Sequence, residues 1–254
     1  MRSTQGGIVV LKKERLYEKV KFVEGENFVT VEDTHQLSSD EVLMLAEELV
    51  KDERIQKVDH LTILLEDSLA AQVGNRLENL QFKLRDQSVF VRCDLQQVEP
   101  EEAFVLKSLH EVSSEQFKNI WGKAMEGSLN AASYLDMDEQ MKSVEKELGP
   151  SYKDSCCIAF EQGKPIGVVM PHIEPGTEGE GRIFYFGLIP EERGKGKSSA
   201  LYRQGLFLLK KKFGAFYSIG ATSVKNVPMQ KVFENNQCTI IDRVKVYSRK
   251  IGGK

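Results

Sequence analysis

The chain has 254 residues, 41% of them hydrophobic and 29% charged, with a formal net charge of −3. That length holds one large domain or two smaller ones, and the apolar content rules out the low-hydrophobicity, high-charge pattern of disorder. With 35 basic against 38 acidic residues, no global positive field exists to draw in nucleic acid or an anionic membrane, and neither partner is expected.

At the start, the apolar run Ile8 to Leu11 is too short for a signal-peptide core, and no later stretch approaches the ~18 apolar residues of a spanning helix. A cytoplasmic protein is expected. The runs IVVLKKE, YEKVKFV and FVTVED, between Ile8 and Glu32, predict a meander of strands. Ser38 with Glu41 forms a capping-box pattern opening a helix to about Arg54. LTILLED (61–67) predicts a buried strand, Ala70 to Leu80 a short amphipathic helix, and SVFVRCDL (88–95) a further strand.

Gln97 to Glu102, polar and bearing Pro100, is the expected boundary, dividing the chain into domains 1–96 and 97–254. Beyond it AFVLKSL predicts a strand, Ser114 to Glu126 and Met137 to Leu148 helices, and SCCIAFEQGKPIGVVMPHI a hairpin turning at Gln162-Gly163-Lys164. RIFYFGLIP (182–190) predicts a strand, Gly196 to Phe213 a long helix, AFYSIGAT a strand, Met229 to Asn236 a short helix, and CTIIDRVKVYSR two closing strands. Lys210-Lys211-Lys212 suits the negative end of the long helix.

The order strand, helix, strand, short helix, strand occurs twice, at 24–95 and at 180–251. At an offset of 156, Leu45 falls on Leu201, Ile63 on Ile219, Glu78-Asn79 on Glu234-Asn235, Gln81 on Gln237 and Asp86 on Asp242. A degenerate internal duplication is expected.

The cysteines at 93, 156, 157 and 238 form no CxxC, and the histidines at 35, 60, 110 and 172 no HxxxH. Neither a metal site nor a disulfide framework is expected, and all four cysteines read as small buried hydrophobes.

The most informative stretch is IFYFGLIPEERGKGKSSALYRQGLFLLKKKFG, in which a strand leads through Arg193-Gly194-Lys195-Gly196-Lys197-Ser198 into a helix. Glycines let a ligand approach the backbone, the first helical N–H groups lack internal partners, and the helix dipole favours an anion there. Arg193, Lys195 and Lys197 add positive charge. A P-loop would need glycine where Glu191 stands, and a dinucleotide-binding turn would need glycine where Ser199 stands.

The remaining pattern, Arg193-x-x-Gly196-x-Ser198 after a strand, resembles the GNAT superfamily of acyl-CoA-dependent N-acetyltransferases, with Ser198 at a position that is usually Gly or Ala. The likeness runs from about Ala103 to Arg249 and includes Asn226-Val227-Pro228-Met229 opening the short helix and Phe233-Glu234-Asn235-Asn236 closing it. It implies an α+β fold, here two GNAT-like domains, each a mixed, largely antiparallel sheet flanked by helices, with the first degenerate. It also implies acetyl-CoA as acyl donor, with no metal, and a small-molecule or peptide amine as acceptor, in a monomer or homodimer.

By that resemblance, a bulge at Phe186, Gly187 and Leu188 receives the pantetheine arm, the N–H groups of Gly194 through Ser199 hold the pyrophosphate, and Asn226 contacts the arm. The family's tyrosine acid aligns with Phe233 and a glutamate base with Ala221, so neither role carries over. Tyr185, Glu180 and His172 remain as relays for protons through water. Direct acetyl transfer in a ternary complex is the expected reaction, and an acyl-CoA-binding module without turnover is the alternative. In the first half, Leu37 to Glu41 align with Arg193 to Lys197, an acidic capping box in place of the cradle. That half is expected to lack a CoA site and to wall the acceptor cleft.

Overall fold

A computed structural model describes residues 15–25, 27–100, 102–129 and 136–251. The chain forms two compact units, residues 1–88 with 242–254, and residues 89–241. The expected division at 96/97 differs from this at both ends. Strand β4 (Lys83–Asp94) passes out of the first unit after Ser88, and β10 (Thr239–Lys250) enters it at Asp242. No helix among the described residues is long and apolar enough to cross a membrane.

In the first unit, β1 (Lys21–Glu24) and β2 (Phe28–Glu32) form an antiparallel hairpin. The predicted strand at IVVLKKE lies outside the described residues. Helix α1 (Ser39–Lys51) begins at the expected capping box, Ser38 Oγ accepting from Glu41 N and Glu41 accepting from Ser38 N. Its apolar face, Val42, Leu45, Ala46 and Leu49, is fully buried. The chain then returns as β3 (His60–Glu66), parallel to β2, and continues into α2 (Asp67–Asn79). The other neighbour of β3 is β10: Val244–Lys250 pair antiparallel with Glu66–His60.

In the second unit the strand order is β4, β9 (Tyr217–Ser223), β8 (Glu180–Leu188), β7 (Lys164–Ile173), β6 (Cys157–Glu161), β5 (Val105–Ser108). The β6–β7 turn has both central residues left-handed, Gln162 at φ 50° and Gly163 at 79°, as a type I′ hairpin requires. Helices α3 (Ser114–Met125) and α4 (Met137–Leu148), followed by the single turn α5 (Tyr152–Ser155), share a core with Ile158, Val168, Met170 and Tyr185. Helix α6 (Lys197–Lys211) and α7 (Val227–Asn235) share another with Val91, Leu95 and Ala215.

The repeated element order has a counterpart in the backbone. β4 and β10 share the 156-residue offset at both ends. The preceding turns match too: Gln81 and Gln237 are both left-handed, at φ 66° and 58°, and their N–H groups donate to Glu78 O and Glu234 O. CTIIDRVKVYSR, expected as two strands, is one.

One cysteine expectation is overturned. Cys93 and Cys238 are joined in a disulfide, their Cα atoms 4.4 Å apart, on segments 145 residues apart in sequence. The pairing of Thr239 Oγ1 with Arg92 O shows how the two segments come side by side. Cys156 and Cys157 are free and buried as expected, and burial raises both thiols, Cys157 to about 12.

Candidate active site

Beyond β8 the chain makes one 3-10 turn, Pro190–Glu192, and reaches α6 through Arg193-Gly194-Lys195, with Gly196 as N-cap. Gly194 and Gly196 are left-handed, at φ 72° and 76°, and a Cβ on either would meet no heavy atom within 4 Å. The corner therefore opens outward rather than being plugged. Glu192 N and Arg193 N are spent on Ile189 O and Pro190 O, whereas among the described residues no group accepts from the N–H groups of Gly194 through Ser199. Six consecutive unspent amides at a helix start form an anion cradle.

The three cations behave differently from the expectation. Arg193 Nε donates to Leu188 O and its Nη2 to Ala124 O, each at 3.0 Å. Lys197 Nζ sits on Glu161 and lies 2.6 Å from Glu192, and Lys195 is 3.3 Å from Glu192. Hydrogen bonds from Lys197 and then Lys195 lower the Glu192 carboxyl, and those to Glu161 and Glu192 raise Lys197. Carboxylates close by in space take up the lysine charge, so amides and helix dipole, more than side-chain cations, carry the attraction for an anion.

β8 and β9 pair in parallel only at Glu180 with Tyr217 and Gly181 with Ser218. From Arg182 onward they diverge. On its other side β8 is bulged against β7: Ile183 pairs with Pro171 and Phe186 with Val169, so Phe184 and Tyr185 together oppose Met170. The bulge thus precedes the expected Phe186-Gly187-Leu188, which pair regularly with Val169, Val168 and Gly167. Its effect is to turn both Phe184 and Tyr185 into the core shared with Trp121, while Phe186 joins the opposite core.

Tyr185, weighed as a proton relay, is committed: its Oη donates to Ala124 O at 2.8 Å, and burial raises its pKa. Asn226 is the N-cap of α7, accepting from Met229 N at 3.2 Å and donating to Thr222 Oγ1 at 3.1 Å. Phe233 is buried edge-on to Tyr202, ring centroids 5.5 Å apart, and Ala221 is exposed.

Glu180 and His172, the other two candidates, come together with residues that the sequence reading missed. His172 faces Arg182 across the β7–β8 pairing. Arg182 Nε lies 2.8 Å from Glu180 Oε1 and 3.2 Å from Glu174 Oε2, and Tyr217 Oη donates to Glu180 Oε2 at 3.2 Å. The signal was present as His172-x-Glu174, at and just past the end of β7, and Glu180-x-Arg182 at the start of β8, where His172 faces Arg182 and Glu174 N donates to Glu180 O.

The motif turn, the bulged strand and the divergence of β8 from β9 coincide with a match to a family model. Residues 107–237, just over half of the chain, match the model of the acetyltransferase (GNAT) family. The chain belongs to the GNAT family. Solved structures share the GNAT fold across almost the whole chain. A GCN5-related N-acetyltransferase from Sphaerobacter thermophilus superposes with TM-score 0.58 at 13% identity, covering 92% of this chain and 76% of that one. A GCN5-related N-acetyltransferase from Kribbella flavida gives 0.60 at 11% identity, covering 100% and 98%. A tandem GNAT protein from the clavulanic acid biosynthesis pathway gives 0.57 at 12%, covering 92% and 79%. No curated protein matches the chain.

Proposed function

We propose that the second unit is an N-acetyltransferase that moves an acetyl group from acetyl-CoA to a primary amine by direct attack in a ternary complex. The observation that carries this is the run of unspent amides from Gly194 to Ser199 beside the gap where β8 leaves β9. The pyrophosphate fits those amides, and the arm fits the gap along Phe186, Gly187 and Leu188, with Asn226 at its mouth. Acetyl-CoA supplies an activated acyl carbon. A covalent acyl-enzyme is disfavoured, because Cys93 and Cys238 are disulfide-bonded and the buried Cys156 and Cys157 thiols resist ionisation.

Calorimetry with acetyl-CoA tests the site. Gly196→Asp puts a side chain and a negative charge into the cradle and should weaken binding at least tenfold, and unchanged affinity refutes the reading. The position of Phe233, buried against Tyr202 where a hydroxyl acid would serve, favours a second reading, a binding module without turnover. An amine panel with thiol detection separates the two: CoA release on any acceptor removes the module.

A further inference from the structure

We propose that Glu161 and Glu192 are resident counter-anions of the turn before α6, holding Lys195 and Lys197 in a closed ion network from which the diphosphate of acetyl-CoA must take them. The two carboxylates thereby set the affinity of the site and its dependence on ionic strength. This rests on the acyl-transfer reading above.

The network is compact and internally balanced. Lys197 Nζ sits on Glu161 Oε2 and lies 2.6 Å from Glu192 Oε2, and Lys195 Nζ lies 3.3 Å from that same Glu192 oxygen. Among the described residues none of the four has a further ion pair, so two positive and two negative charges cancel. The third motif cation, Arg193, is taken up by the carbonyl oxygens of Leu188 and Ala124. Glu191, next to Glu192, is exposed and pairs with no cation among the described residues.

The placement of Lys197 runs against local electrostatics. It is the first residue of α6, where the helix dipole is positive and disfavours a cation, and its side chain is only 17% exposed. Carboxylates from two separate elements offset this: Glu161 from the end of β6 and Glu192 from the 3-10 turn. An ammonium has three hydrogens to donate, and Lys197 directs two of them at these carboxylates. An anion near a helix start is favourable, so Glu192, two residues before Gly194, takes part of the stabilisation that a phosphate would draw from the dipole.

A dianion approaching the amides of Gly194 to Ser199 therefore meets a neutral network rather than a field of two cations. It gains lysine contacts only by breaking those already made. A diphosphate has a charge for each lysine. Once released, Glu161 at 40% side-chain exposure and Glu192 at 20% keep contact with water, so the exchange buries no unpaired carboxylate. Because ion pairs are traded for ion pairs, few counterions are freed, and binding to the wild-type protein responds weakly to salt.

The test is calorimetry on the full-length protein with CoA and with inorganic pyrophosphate, at about 50 and 200 mM salt. E161Q/E192Q should tighten both ligands about tenfold or more at low salt and lose most of that gain at high salt. E191Q removes the same charge from an exposed neighbour without an ion pair, and should stay within about twofold of wild type. K197Q should cost less than about threefold in the wild-type background and cancel most of the gain in E161Q/E192Q, a coupling that only freed lysines produce. Unchanged or weaker binding by E161Q/E192Q overturns the inference, since the carboxylates would then position the lysines for the ligand. A gain in E191Q equal to that in E192Q overturns it too, as an effect of net charge alone. Pyrophosphate binding that follows this order without any CoA binding upholds the network and counts against the acyl-transfer reading. Binding of neither ligand by any variant refutes both.

Discussion

Arg193 reaches back to the carbonyl oxygen of Ala124, 3.0 Å away, and so ties the turn before α6 to the end of α3. The residue that heads the family motif is here a brace: its Nε also holds Leu188 O at the end of β8. Arg193→Gln should cost about 2 kcal/mol, since two charge-assisted bonds to carbonyls are lost. Arg193→Lys should recover less than half of that, because an ammonium lacks the planar fork. Denaturant midpoints read both, and a neutral Arg193→Gln would mean the brace does not hold in solution.

Tyr185 donates to the same Ala124 oxygen, at 2.8 Å. Tyr185→Phe should cost about 1 kcal/mol of stability. It should leave kcat/KM and its pH profile unchanged, because the hydroxyl is committed to the backbone. A lost limb in the profile would return Tyr185 to the proton path.

The Cys93–Cys238 disulfide closes a long loop, with 145 residues of separation. Cys93→Ser should cost about 3 to 5 kcal/mol under oxidising conditions, which lowers Tm on the order of 10 °C. Added dithiol should lower the melting of the wild type and leave that of the variant alone. Equal melting of all three would show that the bridge constrains nothing.

Glu41 is held at about 2, below its ordinary 4.5, first by the hydrogen bond from Lys19 and then by Ser38 N–H. A lowered carboxyl stabilises the fold fully above pH 4.5, and this is lost as pH falls towards 2. Because Glu41 is partly solvated, Glu41→Gln should cost only about 1 kcal/mol near neutrality. The melting curves of variant and wild type should converge through that acid window, and a constant gap would assign the stability to something else.

Local signals were readable in the sequence and long-range partners were not. The α1 capping box and the start of α6 after Gly196 depend on residues a few positions apart, and both are where the pattern put them. The fate of the motif cations was hidden, because Ala124 lies 69 residues before Arg193 and Glu161 lies 36 before Lys197. The bulge was placed late, since Phe184, Tyr185 and Phe186 all read as apolar strand residues and only the β7 register separates them. Four cysteines without a metal or disulfide spacing gave no hint that Cys93 and Cys238 meet.

The pairing of β3 with β10 sets an order on how this protein comes into being. Leu61 to Leu65 are made long before Val244 to Lys250, the strand that covers their edge. Until then the nascent first half is an open edge awaiting its lid, exposed to premature pairing with other chains. A stop before Val244 would therefore strip β3 of its partner and wound the first unit more than the second.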